Sequence, residues 1–191
     1  MKLAIFGGSF DPPHQGHAEI VRSFWQSYPE SNKLYFIPNR LSPFKTKKNL
    51  SPQQTLEICQ LFLQDLPGNN EIWPGELQKT GKSYTIDTIL ALQKQHPNSK
   101  LSLLIGADTA QSIQQWKDSQ HLLQLCQIIV FRRPGIAKSS HSYPELDNTL
   151  VAASSSEIRQ QLAQKHKPEF LSSKVYEYIL SRGLYETTTC T

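Results

Sequence analysis

Two histidines three residues apart, His14 and His17, close the segment Gly7-Gly8-Ser9-Phe10-Asp11-Pro12-Pro13-His14-Gln15-Gly16-His17. The segment follows a short apolar run at 3–6 and enters a stretch where Ile20, Val21, Phe24 and Trp25 recur at helical spacing. A glycine-bearing turn between strand and helix lets phosphate oxygens reach backbone N–H groups and the positive end of the helix. Side chains three apart at a helix start face the same way, so two imidazoles there can donate hydrogen bonds to one phosphate. Taken by itself, the segment also fits a tight turn with two surface histidines, and a metal pair is a third reading. Metal ranks last, because His96, His121, His141 and His166 lie in segments without a ligand pattern. The segment has neither the Gly-Lys-Ser/Thr ending of a Walker loop nor a G-x-G-x-x-G fingerprint.

A second group of donors stands at Ser154-Ser155-Ser156-Glu157, a capping box that leads into Ile158 and Leu162. It offers hydroxyls and unpaired N–H groups at a helix start, and Arg159 adds a forked cation less than two turns on. A plain cap explains Ser154 but not Arg159. Asp108 follows the apolar run at 101–105, at the carboxyl end of a strand, where parallel sheets bind ligands and where an aspartate can equally cap the next helix.

The elements that must position these groups alternate. Apolar runs at 3–6, 34–37, 101–105 and 128–131 read as buried strands, with a shorter candidate at 150–152. Helical patterns lie between them. The first covers 16–28; the second opens at the capping box Ser51-Pro52-Gln53-Gln54 and runs to about Leu66. A third begins after Ser83, burying Ile86, Ile89 and Leu90, and ends before His96-Pro97. A helical C-terminal portion starts near 154, and its last helix, 173–182, stops at Gly183. Such alternation predicts an α/β fold, a parallel sheet with helices on both faces, in one domain over 1–191. The stretch 134–148, rich in Ser and Pro, reads as a surface loop.

The net charge of +4 suits phosphate-bearing small molecules and nucleic acid equally well, but the basic residues form no stripe interleaved with aromatics, so nucleic acid is not an expected partner. No run reaches the roughly 18 consecutive apolar residues of a membrane span, and the first residues lack the apolar centre of a signal peptide. Cys59, Cys126 and Cys190 are odd in number and widely spaced, as in a reducing, cytoplasmic setting, with Cys59 and Cys126 as core residues. Oligomeric state is not written in these patterns.

The run G-G-S-F-D-P-P-H-x-G-H resembles the signature of the nucleotidyltransferase superfamily, whose fold is Rossmann-like and whose members include phosphopantetheine adenylyltransferases and cytidylyltransferases. Gly81-Lys82-Ser83-Tyr84-Thr85-Ile86-Asp87-Thr88, Leu104-Ile105-Gly106-Ala107-Asp108, Gln115-Trp116, Arg132-Arg133-Pro134-Gly135 and Ser154-Ser155-Ser156-Glu157-Ile158-Arg159 follow in the order seen in bacterial nicotinate-nucleotide adenylyltransferases. That resemblance implies adenylyl transfer from ATP to nicotinate mononucleotide in NAD biosynthesis. Rival readings are nicotinamide mononucleotide or another phosphorylated acceptor, and a nucleotide-sensing module without turnover.

The resemblance also implies roles. His14, His17 and Arg159 would be catalytic, with Gly7, Gly8, Ser9, Phe10, Gly16, Gly106, Asp108, Arg133, Ser155 and Ser156 completing the ATP site. Ser9, Asn39, Lys45, Tyr84, Thr85 and Trp116 would hold the acceptor, with Trp116 stacked on its pyridine ring; without the resemblance Trp116 reads as a core tryptophan. Mg²⁺ would arrive with ATP, with no tightly bound cofactor and no resident metal. Phe44 stands where the family usually has histidine. Finally, if Ser83 caps the third helix, the unpaired N–H groups beyond it favour a carboxylate over a carboxamide, giving at least about a tenfold preference for the acid.

Overall fold

A computed structural model describes residues 1–136 and 142–186. Six strands, β1 (Lys2–Gly8), β2 (Lys33–Pro38), β3 (Asn70–Ile72), β4 (Lys100–Gly106), β5 (Cys126–Phe131) and β6 (Glu145–Leu146), form one sheet in the order β3-β2-β1-β4-β5-β6. Every neighbouring pair is parallel. The chain therefore winds outward from β1 to β3, returns past β1, and winds the other way from β4. Between β1 and β4 the direction of winding reverses, and in sheets of this kind the crevice beyond the carboxyl ends of such a pair receives ligands.

Side chains alternate across each strand, and β1 divides its residues accordingly. Ala4 and Phe6 join a cluster with α1 (Gln15–Ser27), α2 (Pro52–Leu63), α6 (Ser155–Ala163) and α7 (Ser173–Ser181). Leu3 and Ile5 face the other way, onto α3 (Thr85–Gln95), the single turn α4 (Ala107–Ala110) and α5 (Ser119–Leu125). The fold is thus the expected Rossmann-like α/β sheet with helices on both faces.

Local chemistry sets the helix starts. At α2 the Ser51 hydroxyl accepts from Gln54 N–H while the Gln54 side chain accepts from Ser51 N–H, with Pro52 at the first helical position. At α6 Ser154 accepts from Glu157 N–H. Other expectations need correction. The strand expected at 150–152 is absent, and the last strand is β6. Between β5 and that segment Asn148 takes the place of a continuing ladder: its Oδ1 accepts from Arg132 N–H and its Nδ2 donates to the Arg132 carbonyl. β3, three residues long and polar at Asn70 and Glu71, carries no periodic signal. Leu90 lies largely exposed, and Leu92 fills the core instead. Helix α2 ends at Leu63 rather than near Leu66.

Part of the loop expected at 134–148, residues 137–141, lies outside the described residues, as does Cys190. Cys59 and Cys126 are buried and free. Among the described residues no helix is long and apolar enough to cross a membrane.

Candidate active site

A cleft of about 660 Å³ opens over the carboxyl ends of β1 and β4. Every residue expected from the sequence to bind ATP or the acceptor lines it, from Gly7 to Arg159. The turn after β1 is built by close packing. Phe10 adopts a positive φ of 46° and is only 1% exposed, its ring stacked on Phe36 at 3.8 Å. A Cβ at Gly8 would lie 2.8 Å from that ring, so glycine is required there. Phe10 therefore differs in kind from the other expected ATP contacts, for its ring is committed to the core and only its backbone can meet a ligand. At Gly106 a Cβ would come within 2.4 Å of Asp108 Oδ1 and 2.8 Å of Arg133 Nε, so those two side chains would have to shift.

The two histidines cap the helix they stand on. His14 is the N-cap of α1, and its Nδ1 accepts from Gly16 N–H at 3.1 Å. His17 Nδ1 in turn accepts from His14 N–H at 3.2 Å. An imidazole that accepts at Nδ1 carries its proton on Nε2, so both rings are fixed as Nε2–H donors. Burial, then the Arg133 charge, pushes His14 down to about 4 from its ordinary 6.5. His17 is pushed well below its ordinary value by burial, then by His14 and Arg133, among the rings of Phe6, Phe10 and His14. Both are neutral at pH 7 before an anion arrives.

Facing them, α6 offers Ser155, whose hydroxyl donates to the Pro12 carbonyl, and Arg159, whose Nη1 donates to the Asp11 carbonyl at 2.6 Å and Nη2 to Ser156 Oγ at 3.2 Å. Arg133 lies 3.5 Å from Asp108 Oδ2. On the other side, Lys45 Nζ donates to Ser9 Oγ at 3.1 Å, and Asn39 N–H donates to the Gly8 carbonyl. Phe44 projects into solvent, 76% exposed.

Helix α3 begins one residue later than expected. Its N-cap is Tyr84, with no side-chain cap, because the Ser83 hydroxyl is engaged elsewhere: it accepts from Arg40 N–H and bonds the buried Glu76 carboxylate. Glu76 also accepts from Thr88 Oγ1 at 2.6 Å. The first N–H groups of α3 are thus left without a side-chain partner, beside Tyr84 and Thr85. Glu76 and Asn148 were not legible as site residues, since only the fold turns the Ser83 and Thr88 side chains onto Glu76 and Asn148 bonds backbone groups. Among the described residues three buried side-chain atoms lack a hydrogen-bond partner: Asn39 Oδ1, Asp108 Oδ1 and Trp116 Nε1. All three belong to residues of the cleft, where a bound molecule can complete them.

The cytidylyltransferase-like family model matches residues 5–161. A probable nicotinate-nucleotide adenylyltransferase of Leptospira interrogans is 39% identical over 189 residues, covering 95% of each chain. The nicotinate-nucleotide adenylyltransferase of Bacillus subtilis is 33% identical, covering 97% of this chain and 99% of its own. The chain belongs to the nicotinate-nucleotide adenylyltransferase family. The fold of this family member agrees with that of the Plasmodium falciparum nicotinic acid mononucleotide adenylyltransferase solved in complex with APC. That structure superposes with a TM-score of 0.75 at 18% identity over 96% of each chain. The same protein solved with NaAD superposes equally well, at 0.75.

Proposed function

We propose that the protein transfers the AMP moiety of ATP to nicotinate mononucleotide, forming nicotinate adenine dinucleotide and releasing pyrophosphate. One observation carries the chemistry: His14 and His17 are locked as adjacent neutral Nε2–H donors over the end of β1, with Arg159 across the cleft. An acceptor phosphate oxygen attacks the α-phosphorus, the bond to the β-phosphate oxygen breaks, and pyrophosphate leaves, with no enzyme-bound intermediate. Such a step depends on alignment and on charge stabilisation. The two imidazole N–H groups donate to α-phosphate oxygens as charge shifts, while Arg159, Ser155 and Ser156 hold the remaining phosphates. Asp108 and Arg133 stand on the nucleotide side.

The acceptor takes the other half. Ser9, Asn39 and Lys45 receive its phosphate, Trp116 stacks on its pyridine ring, and the uncapped start of α3 at Tyr84 and Thr85 meets its carboxylate. Mg²⁺ enters as part of the ATP substrate. The phosphate half is lined by N–H and O–H donors, which suit phosphate oxygens rather than a resident cation. A reducing, cytoplasmic setting suits the two buried, unpaired thiols.

Pyrophosphate release from MgATP, followed with the acid and amide mononucleotides in parallel, tests the reading. The acid supports turnover with kcat/KM at least about tenfold above the amide. Release with neither mononucleotide overturns the function, whereas equal use of both overturns only the carboxylate site.

A further inference from the structure

A carboxylate inside a phosphate-binding turn has the wrong sign for its surroundings, yet Asp11 stands there, 4% exposed. Both of its oxygens are engaged by residues from other parts of the chain. Oδ1 accepts from the Tyr185 hydroxyl at 2.7 Å, and Oδ2 accepts from Asn49 N–H at 3.2 Å and Asn49 Nδ2 at 2.8 Å. Tyr185 comes from beyond α7, 174 residues away, and Asn49 from the segment before α2. The carbonyl of the same Asp11 accepts from Arg159, and that of Pro12 accepts from Ser155, so two adjacent backbone carbonyls tie α6 to the turn.

We propose that Asp11, gripped by Tyr185 and Asn49, is a positioning residue that aims the Arg159 guanidinium into the cleft. This rests on the reading of Arg159 as a ligand of the ATP phosphates. With both oxygens satisfied, the carboxylate does not compete for the cation, and the guanidinium rests on the carbonyl with further N–H donors to offer. Burial, then the Asp11 charge, pushes the Tyr185 hydroxyl far up, so it stays a donor throughout the working pH range. Without that hydroxyl, Oδ1 becomes a buried acceptor with no partner. Lys45 and Lys48 also feel the Asp11 charge but are held by Ser9 Oγ and the Asn39 carbonyl, so the guanidinium already on the Asp11 carbonyl is the group drawn to fill it. Arg159 then turns from phosphate towards Asp11.

The test is a double-mutant cycle on Tyr185→Phe and Arg159→Ala, with ATP affinity read by calorimetry, kcat/KM for both substrates, and Tm. Tyr185→Phe weakens ATP binding about tenfold, the loss of one bond to a charged group, and leaves the acceptor KM within about twofold. In the Arg159→Ala background the same substitution changes ATP affinity by less than about twofold, because no guanidinium remains to be misdirected. Asn49→Ala, which loosens the other oxygen, behaves alike. Equal losses with and without Arg159, equal weakening of both substrates, or a lowered Tm with unchanged kinetics overturns the inference and leaves Arg159's own role standing. An Arg159→Ala protein that binds ATP like the wild type overturns that role, and the clasp falls with it.

Discussion

At the end of the cleft proposed to hold the ATP phosphates, His14, His17, Ser155, Ser156 and Arg159 are each already bonded to a backbone or side-chain group nearby. At the end proposed for the acceptor, by contrast, Asn39 Oδ1 and Trp116 Nε1 are buried without partners, as Asp108 Oδ1 is beside the proposed nucleotide site, α3 starts without a side-chain cap, and Phe44 stands in solvent. The histidines, serines and Arg159 are organised before any ligand arrives; the unpaired atoms at the other end are left for one to complete. Groups that stabilise a transition state gain most from being fixed in advance, since reorganising them would add to the barrier. Groups that choose between acceptors gain from being left incomplete, because the wrong acceptor then leaves a buried atom unpaired.

The largest test of this contrast is His17→Ala, which lowers kcat about 100-fold or more by removing a fixed donor. Its Nδ1 also receives the His14 N–H, so a stability loss on the order of 1 kcal/mol accompanies it. A normal kcat with a lowered Tm would make the residue structural and remove the contrast. Trp116→Ala comes next, weakening nicotinate mononucleotide about 10- to 100-fold with the Kd for ATP nearly unchanged. Similar weakening of both ligands would assign Trp116 to the core and blur the division between the two ends.

Sequence made the two ends unequally legible. His14, His17 and Arg159 are local signals, since their type, their spacing and the helix starts beside them fall within a few residues. Ser83 looked like a cap because Ser is a common N-cap, but only the fold brings Arg40 and Glu76 to its hydroxyl and so moves the helix start to Tyr84. Asp11 was visible within the motif, yet its partner Tyr185 lies at the far end of the chain. The last strand was misplaced for a similar reason, for the Asn148 side chain imitates backbone pairing and periodicity carries no trace of it.

A smaller effect sharpens the contrast through pH. The folded protein holds His14 at about 4, below its ordinary 6.5, so beneath pH 6.5 the unfolded chain takes up a proton that the folded one refuses. The stability this histidine contributes is complete above pH 6.5 and is lost as pH falls towards 4. Melting curves across that window should decline with falling pH, less steeply for His14→Asn and less steeply with saturating ATP, whose phosphates favour the imidazolium. A slope unchanged by either would show that His14 is not the titrating group. The smallest effect is expected of Phe44→His, which alters kcat/KM by less than about twofold, as befits an exposed side chain. A gain of tenfold would mean that this loop reaches the acceptor.

The cap at α1 also bears on how this enzyme can be improved. Helix starts favour Ser, Asp, Asn or Thr at the cap, and histidine is not among the preferred residues. Position 14 nevertheless holds a side chain that caps with one nitrogen and, in the proposed reaction, keeps the other for the substrate. A library selected for heat resistance alone would drift there towards serine, asparagine or aspartate and lose turnover as it gained stability. Selection for growth that depends on the enzyme making its product would hold the histidine in place, leaving any thermostable descendant to find its added stability elsewhere in the chain.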